Sequence, residues 1–209
     1  MSPIIAPLCV ALSIIVSADA IRFRSSAFER AYERLLGFLM RDAEKTSING
    51  VVWYLIGVVF VLAVYPRDVA VEAILLLSWA DTAASTFGRL YGHRTPRLPN
   101  RILGLPVAAR KSLAGVFGSF TIAMLTTLAF WGFCTSGMGK GLPEASWQWT
   151  QPGTGGWAGL LLLSASAGVV TSIVEVLDFG DVDDNLTLPV LAGALVWGIT
   201  VVLRTLSDL

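Results

Sequence analysis

The sequence predicts an all-α fold: a polytopic transmembrane helical bundle of about six spans with one interfacial amphipathic helix. Two properties of the composition point to it. Of 209 residues, 55% are hydrophobic and only 14% charged, against about a quarter charged in an ordinary soluble domain, and the mean hydropathy is +0.69. The third observation is that the apolar residues fall in separate runs, each near the roughly 20 residues needed to cross a bilayer core. Those runs use up the chain, so residues 1–209 are expected to form a single membrane-embedded domain.

The first run, Ile4 to Ile21, contains Ala18-Asp19-Ala20, which imitates a signal-peptidase site. A signal peptide needs a basic leading region, and residues 2 to 18 hold no Lys or Arg, whereas Arg22 and Arg24 follow the run. It is therefore expected to be a span whose N-terminus faces away from the cytosol. Residues 28 to 40 place Phe28, Tyr32, Leu35, Leu36, Leu39 and Met40 at helical spacing, with Glu29, Arg30, Glu33 and Arg34 on other faces. That pattern suits a helix lying in the membrane surface, and equally an amphipathic connector packed on protein. Further spans are expected at Ile48 to Tyr65, Val69 to Gly88, Ser112 to Thr135, Trp157 to Leu177 and Thr187 to Leu203. Gly139 to Gly156 is rich in Gly and Pro and flanked by Trp147, Trp149 and Trp157, as an interfacial connector would be. Cys9 and Cys134 stand alone in apolar stretches and suggest neither a disulfide nor a metal site.

Although the formal net charge is +0, the charges are segregated. Threading the chain through six spans puts Arg22, Arg24, Arg30, Arg34, Arg41, Lys45, Arg89, Arg94, Arg97, Arg101, Arg110 and Lys111 on one side. Only Arg67, Lys140 and Arg204 remain for the other. By the positive-inside rule the first side is cytosolic.

An ionisable residue inside a span is by default a functional candidate. Asp81 is the leading one, on a helical stripe with Ser78, Ser85 and Gly88; the plainer alternative is a polar contact that holds helices together. Between Arg89 and Lys111 the chain carries Arg89, His93, Arg94, Arg97, Arg101, Arg110 and Lys111 and no acidic residue. Phosphate, or anionic headgroups, would be drawn to such a loop; nothing calls for a nucleic-acid partner. His93, the one histidine, has no required part in the chemistry. Lys111-Ser112-Leu113-Ala114-Gly115 opens a span with an ammonium, a hydroxyl and helix N-terminal N–H groups that could grip phosphate, although no Walker A loop precedes it. On the same expected side lie Glu175, Asp178, Asp181, Asp183, Asp184 and Asn185. Hard oxygen donors at that density suit Mg²⁺ or Ca²⁺; a solvated turn, or capping of the last helix by Asp184 or Asn185, would also explain them. Cations, a metal and one carboxylate roughly 10 Å below the surface are the parts that phosphoryl transfer to a lipid alcohol requires.

At these residues the chain resembles the CTP-dependent lipid kinases: the fungal-type diacylglycerol kinases, with dolichol and phytol kinases as relatives. The resemblance lies in Asn49 to Gly57, Leu77 to Arg89, Lys111 to Gly115 and Asp183 to Pro189. It implies transfer of the CTP γ-phosphate to diacylglycerol with Mg²⁺ or Ca²⁺, at the cytosolic face of the endoplasmic reticulum or nuclear envelope. It further implies that Asp81 and Gly88 match positions needed for activity. Taken with the residue pattern itself, the expected site has Asp81 (as base or metal ligand) and Lys111 as catalytic residues, nucleotide contacts at Ser85, Gly88, Arg89, Lys111, Ser112 and Gly115, and Glu175, Asp183 and Asp184 near the metal. Family members carry an upstream helix with an Arg-Lys pair that would fall before Met1. A shortened chain or a substitute cation is therefore expected, with Arg22 and Arg24 poor substitutes because they follow the first span. Rival expectations are a polyprenol or phytol kinase, an ion-coupled transporter with Asp81 in its path, and an inactive relative acting as a scaffold.

Overall fold

The computed structural model describes residues 3–37, 47–102, 104–135, 145–151, 153–180 and 182–207. Leu39, Met40, Arg41, Lys45, Lys140 and Asp181, all invoked above, lie outside them. Among the described residues seven α-helices follow one another: α1 (Ile5–Arg22), α2 (Ser26–Leu36), α3 (Gly50–Val64), α4 (Arg67–Tyr91), α5 (Leu113–Ala129), α6 (Gly156–Val176) and α7 (Asp184–Ser207). A 3-10 turn (Gly92–Arg94) extends α4, and a π-helical segment (Phe130–Thr135) extends α5. The protein is a polytopic membrane bundle in which α1, α4, α5, α6 and α7 are each long and apolar enough to cross a bilayer.

The second expected span is the short one. α3 has 15 residues, so it covers roughly 22 Å, less than a full hydrocarbon core. Pro66 ends it, because proline disfavours helical geometry in the residue before it, and α4 begins directly afterwards. α4 is longer than the apolar run that announced it. Pro66 precedes its first turn and Asp68 lies within that turn, where a carboxylate favours the positive end of the helix dipole.

α4, α5, α6 and α7 enclose the core. Leu76 and Ala80, Ala123, Leu160, Leu163 and Ala167, and Ala192 and Val196 are completely buried among them. Small residues let the backbones approach, as in membrane helix packing generally. A Cβ on Gly115 would come within 2.9 Å of the Ala84 carbonyl oxygen, and one on Gly168 within 2.9 Å of the Phe120 carbonyl oxygen. α3 packs along α7 through Gly57, where a Cβ would lie 2.8 Å from Asn185 O and 3.0 Å from Pro189 Cγ. Proline inside α7 brings no N–H to the carbonyl four residues earlier, and that carbonyl, on Asn185, is the one Gly57 accommodates.

The far end of the bundle is tied by buried carboxylates. Asp68 accepts from Ser146 N–H and its hydroxyl, and Glu72 accepts from Trp131 Nε1–H. Trp147 departs from the interfacial belt expected of it: only 3% exposed, it packs edge-on to Trp131 inside the core. Trp157 does face outward and lies 4.5 Å from the Trp149 ring, centroid to centroid.

α1 stands to one side, against α3 and α2. Its buried Asp19 accepts from Asn49 N–H at 2.8 Å and pairs with Arg22 at 3.1 Å, and Arg22 also donates to Ser47 O. α2 buries none of its residues, in keeping with a surface-lying helix. Its Ser25 cap accepts from Phe28 N–H.

Candidate phosphoryl-transfer site

The basic connector after α4 has more structure than its composition announces. Arg101–Ile102 and Leu105–Pro106 pair as a two-residue antiparallel hairpin, β1 and β2, turned through Gly104 at φ +83°. Its return arm is pinned to the end of α6, with Ala108 N–H donating to Val176 O and Asp178 N–H to Pro106 O. Its outgoing arm is pinned to the start of α5, with Leu98 N–H donating to Lys111 O and Leu113 N–H to Pro96 O. The connector thereby becomes one wall of a cavity of about 750 Å³ at this end of the bundle.

Asp81, Ser85, Gly88 and Arg89 of α4 line the cavity on one side, and Lys111, Ser112 and Gly115 on another. Glu175 at the end of α6 and Asp184 at the start of α7 line it as well. Lys111 joins these elements. Its Nζ donates to Glu175 Oε1 and to Asp184 Oδ2, each at 2.8 Å, and also to the Glu175 carbonyl. Burial pulls the Lys111 ammonium down, but the charges of Glu175 and Asp184 outweigh it and hold the group above the ordinary lysine range. Arg110 lies 3.6 Å from the same Asp184 carboxylate, and Arg89 donates through Nε to Ser85 O at 3.0 Å.

Several expectations take a different form in the structure. Ser78 is not among the cavity residues; its hydroxyl donates back to Ile74 O at 2.9 Å. Asp183 is likewise not among the cavity residues. It caps α7, its carboxylate accepting from Asn185 N–H at 2.9 Å, a role expected of Asp184 or Asn185. Asp178 Oδ1 accepts from Gly180 N–H in a local turn.

The first N–H groups of α5 are also engaged, contrary to a free phosphate grip: Leu113 with Pro96 O, Ala114 with Thr95 Oγ1 and Gly115 with Ser112 Oγ. Ser112 caps the helix and Gly115 permits its close crossing with α4, while side chains supply the donors that face the cavity. His93, Thr95, Arg97 and Arg110 line it as well. His93 has no required part in the sequence reading; the signal for it is its place one turn past Arg89, in the 3-10 turn that extends α4. Arg22 lies elsewhere, buried beside Asp19, and Arg24 is likewise not among the cavity residues.

The carboxylates suit a divalent cation in one respect: Glu175 Oε2 is buried without a hydrogen-bond partner. Among the described residues no three acidic, histidine or cysteine side chains converge to form a protein-only metal cage. A cation here would therefore be shared with substrate phosphates, as Mg²⁺ commonly is.

Three relatives resemble the chain over most of its length. CTP-dependent diacylglycerol kinase 1 of Eremothecium gossypii is 38% identical over 186 residues, 89% of this chain and 55% of the relative. The Schizosaccharomyces pombe protein of the same name is 37% identical over 181 residues, 87% of this chain and 74% of the relative. That of Saccharomyces cerevisiae is 38% identical over 186 residues, 89% of this chain and 60% of the relative. The chain thus spans little more than half the length of two of them. No protein-family profile matches it, and no solved structure does.

Proposed function

The chain belongs to the family of CTP-dependent diacylglycerol kinases, and on that premise we propose that it transfers the γ-phosphate of CTP to diacylglycerol. The products are phosphatidate and CDP. The reaction takes place at the cytosolic face of the endoplasmic reticulum or nuclear envelope membrane, on the side that carries most of the basic residues. One observation carries the reading: Asp81, Lys111, Glu175 and Asp184, from four separate parts of the chain, line a single cavity at the basic end of a membrane bundle.

In this site the diacylglycerol hydroxyl enters beside Asp81 with its acyl chains left in lipid. As the hydroxyl oxygen attacks the γ-phosphorus, the bond from that phosphorus to the β–γ bridging oxygen breaks and CDP leaves. The hydroxyl proton passes to the Asp81 carboxylate. Arg89, Arg110 and Lys111 neutralise the phosphates, which is most of what such a transfer asks of a protein. Glu175 and Asp184 would hold Mg²⁺ or Ca²⁺ with the phosphates, and the ion would supply charge neutralisation on the triphosphate.

Purified protein in detergent micelles, given diacylglycerol, Mg²⁺ and γ-labelled CTP, is expected to release labelled phosphatidate. The absence of a labelled lipid under these conditions, with CTP and with ATP, would sink the reading.

A further inference from the structure

The cavity has a direction. Asp81 lines it well before the end of α4, whereas Ser112 lies against Gly88 and Gly92 near that end and Arg97, also in the lining, is bridged to Ser112. From Asp81 to Tyr91 the α4 axis rises about 15 Å, and the 3-10 turn carrying His93 continues beyond it. A triphosphate whose terminal phosphorus reacts at Asp81 must therefore run outward past Arg89 and Ser112, leaving its nucleoside against the outer wall.

The cations along this path are not equivalent. Lys111 and Arg110 are paired with carboxylates, and Arg89 donates to its own helix. Arg97, by contrast, makes no ion pair and no side-chain hydrogen bond among the described residues. Its backbone is nonetheless held, bridged to Ser112 between the Leu98 N–H to Lys111 O and Leu113 N–H to Pro96 O bonds. A guanidinium carried on a held backbone, with its donors uncommitted, can present a planar fork to two adjacent acceptors. Cytosine offers two such acceptors, O2 and N3. Uracil carries a hydrogen at N3 and repels one tine of the fork, and adenine lacks the O2 acceptor.

We propose that Arg97 reads the base of the bound nucleotide, its guanidinium donating to O2 and N3 of cytosine at the outer end of the cavity. This rests on the kinase reading above and deepens it, since it assigns a residue to the choice of nucleotide.

The test compares nucleotides rather than rates alone. With the full chain in micelles, kcat/KM is measured for CTP and for UTP in the wild type, Arg97→Ala, Arg97→Lys and, as a control outside the cavity, Arg101→Ala. The preference for CTP over UTP is expected to fall about tenfold or more in Arg97→Ala. It should fall comparably in Arg97→Lys, which keeps the charge and loses the fork, and should be unchanged in Arg101→Ala. Equal weakening toward both nucleotides in the Arg97 variants would identify a phosphate contact and overturn the proposal, and so would an unchanged ratio. A wild-type protein without CTP turnover would sink the kinase reading itself. Normal turnover with indifferent Arg97 variants sinks only this one.

Discussion

Lys111 is held by two carboxylates and a carbonyl from elements distant in sequence, so a single ammonium ties the start of α5 to the end of α6 and the start of α7. Its raised pKa has a definite sign in stability. In the folded protein it keeps its proton above the pH at which the unfolded chain releases it, near 10.4. The tie is therefore complete below that pH and is lost as pH rises through the higher folded value. Melting temperatures of wild type and Lys111→Met in micelles should differ by a constant amount across neutral and mildly alkaline pH, with the gap narrowing only above about 10.4. A gap that already narrows between pH 7 and 9 would show that the ammonium is not held as described. Asp81 makes a complementary prediction. Asp81→Asn keeps the shape and hydrogen-bonding capacity of the side chain but removes the proton acceptor, so turnover should fall by about 100-fold or more while helical content stays at the wild-type level.

At the scale of elements, the close helix crossings carry the site. α3 meets α7 at the Asn185 carbonyl, and Asn185 is the immediate neighbour of Asp184 in the cavity. Gly57→Ala would drive a methyl group to 2.8 Å from that oxygen, and backbone there cannot yield without moving the first turn of α7. A loss of about 1–3 kcal/mol is expected, read as a lower melting temperature, together with weaker nucleotide binding. The same change at Gly198, inside α7 where an added Cβ meets nothing within 4 Å, should neither lower the melting temperature nor weaken nucleotide binding.

These elements also separate what could be read in the chain from what could not. The helices were legible because runs such as Gly156–Val176 are apolar for nearly the thickness of a membrane, and Pro66 marks a boundary. The hairpin was not, because Arg101 to Pro106 alternates nothing and is held by backbone bonds to α5 and α6 that no local pattern encodes. Within the site, Asp81 and Lys111 stood out as charges in or beside apolar runs. Arg97 was submerged among similar arginines, and Asp183 seemed equivalent to Asp184 until the helix start turned one to the backbone and the other to Lys111.

Across the whole molecule, the two ends of the bundle use carboxylates in opposite ways. At the far end Asp68 and Glu72 accept from Ser146 and Trp131 and fasten the 145–151 segment and the end of α5 to α4. At the cavity end Glu175 and Asp184 share their charge with a lysine beside open space. If the cavity end faces the cytosol, as the basic residues gathered there imply, the two ends should differ in accessibility from that side. Arg101 and Gln151 are both exposed and lie beyond opposite ends of α4, which is about 37 Å long. In a background with Cys9→Ser and Cys134→Ser, Arg101→Cys in sealed microsomes should react with a membrane-impermeant maleimide without detergent. Gln151→Cys should react only after the membrane is opened. The reverse pattern would put the cavity in the lumen, away from cytosolic CTP, and the phosphoryl-transfer reading could not stand in that orientation.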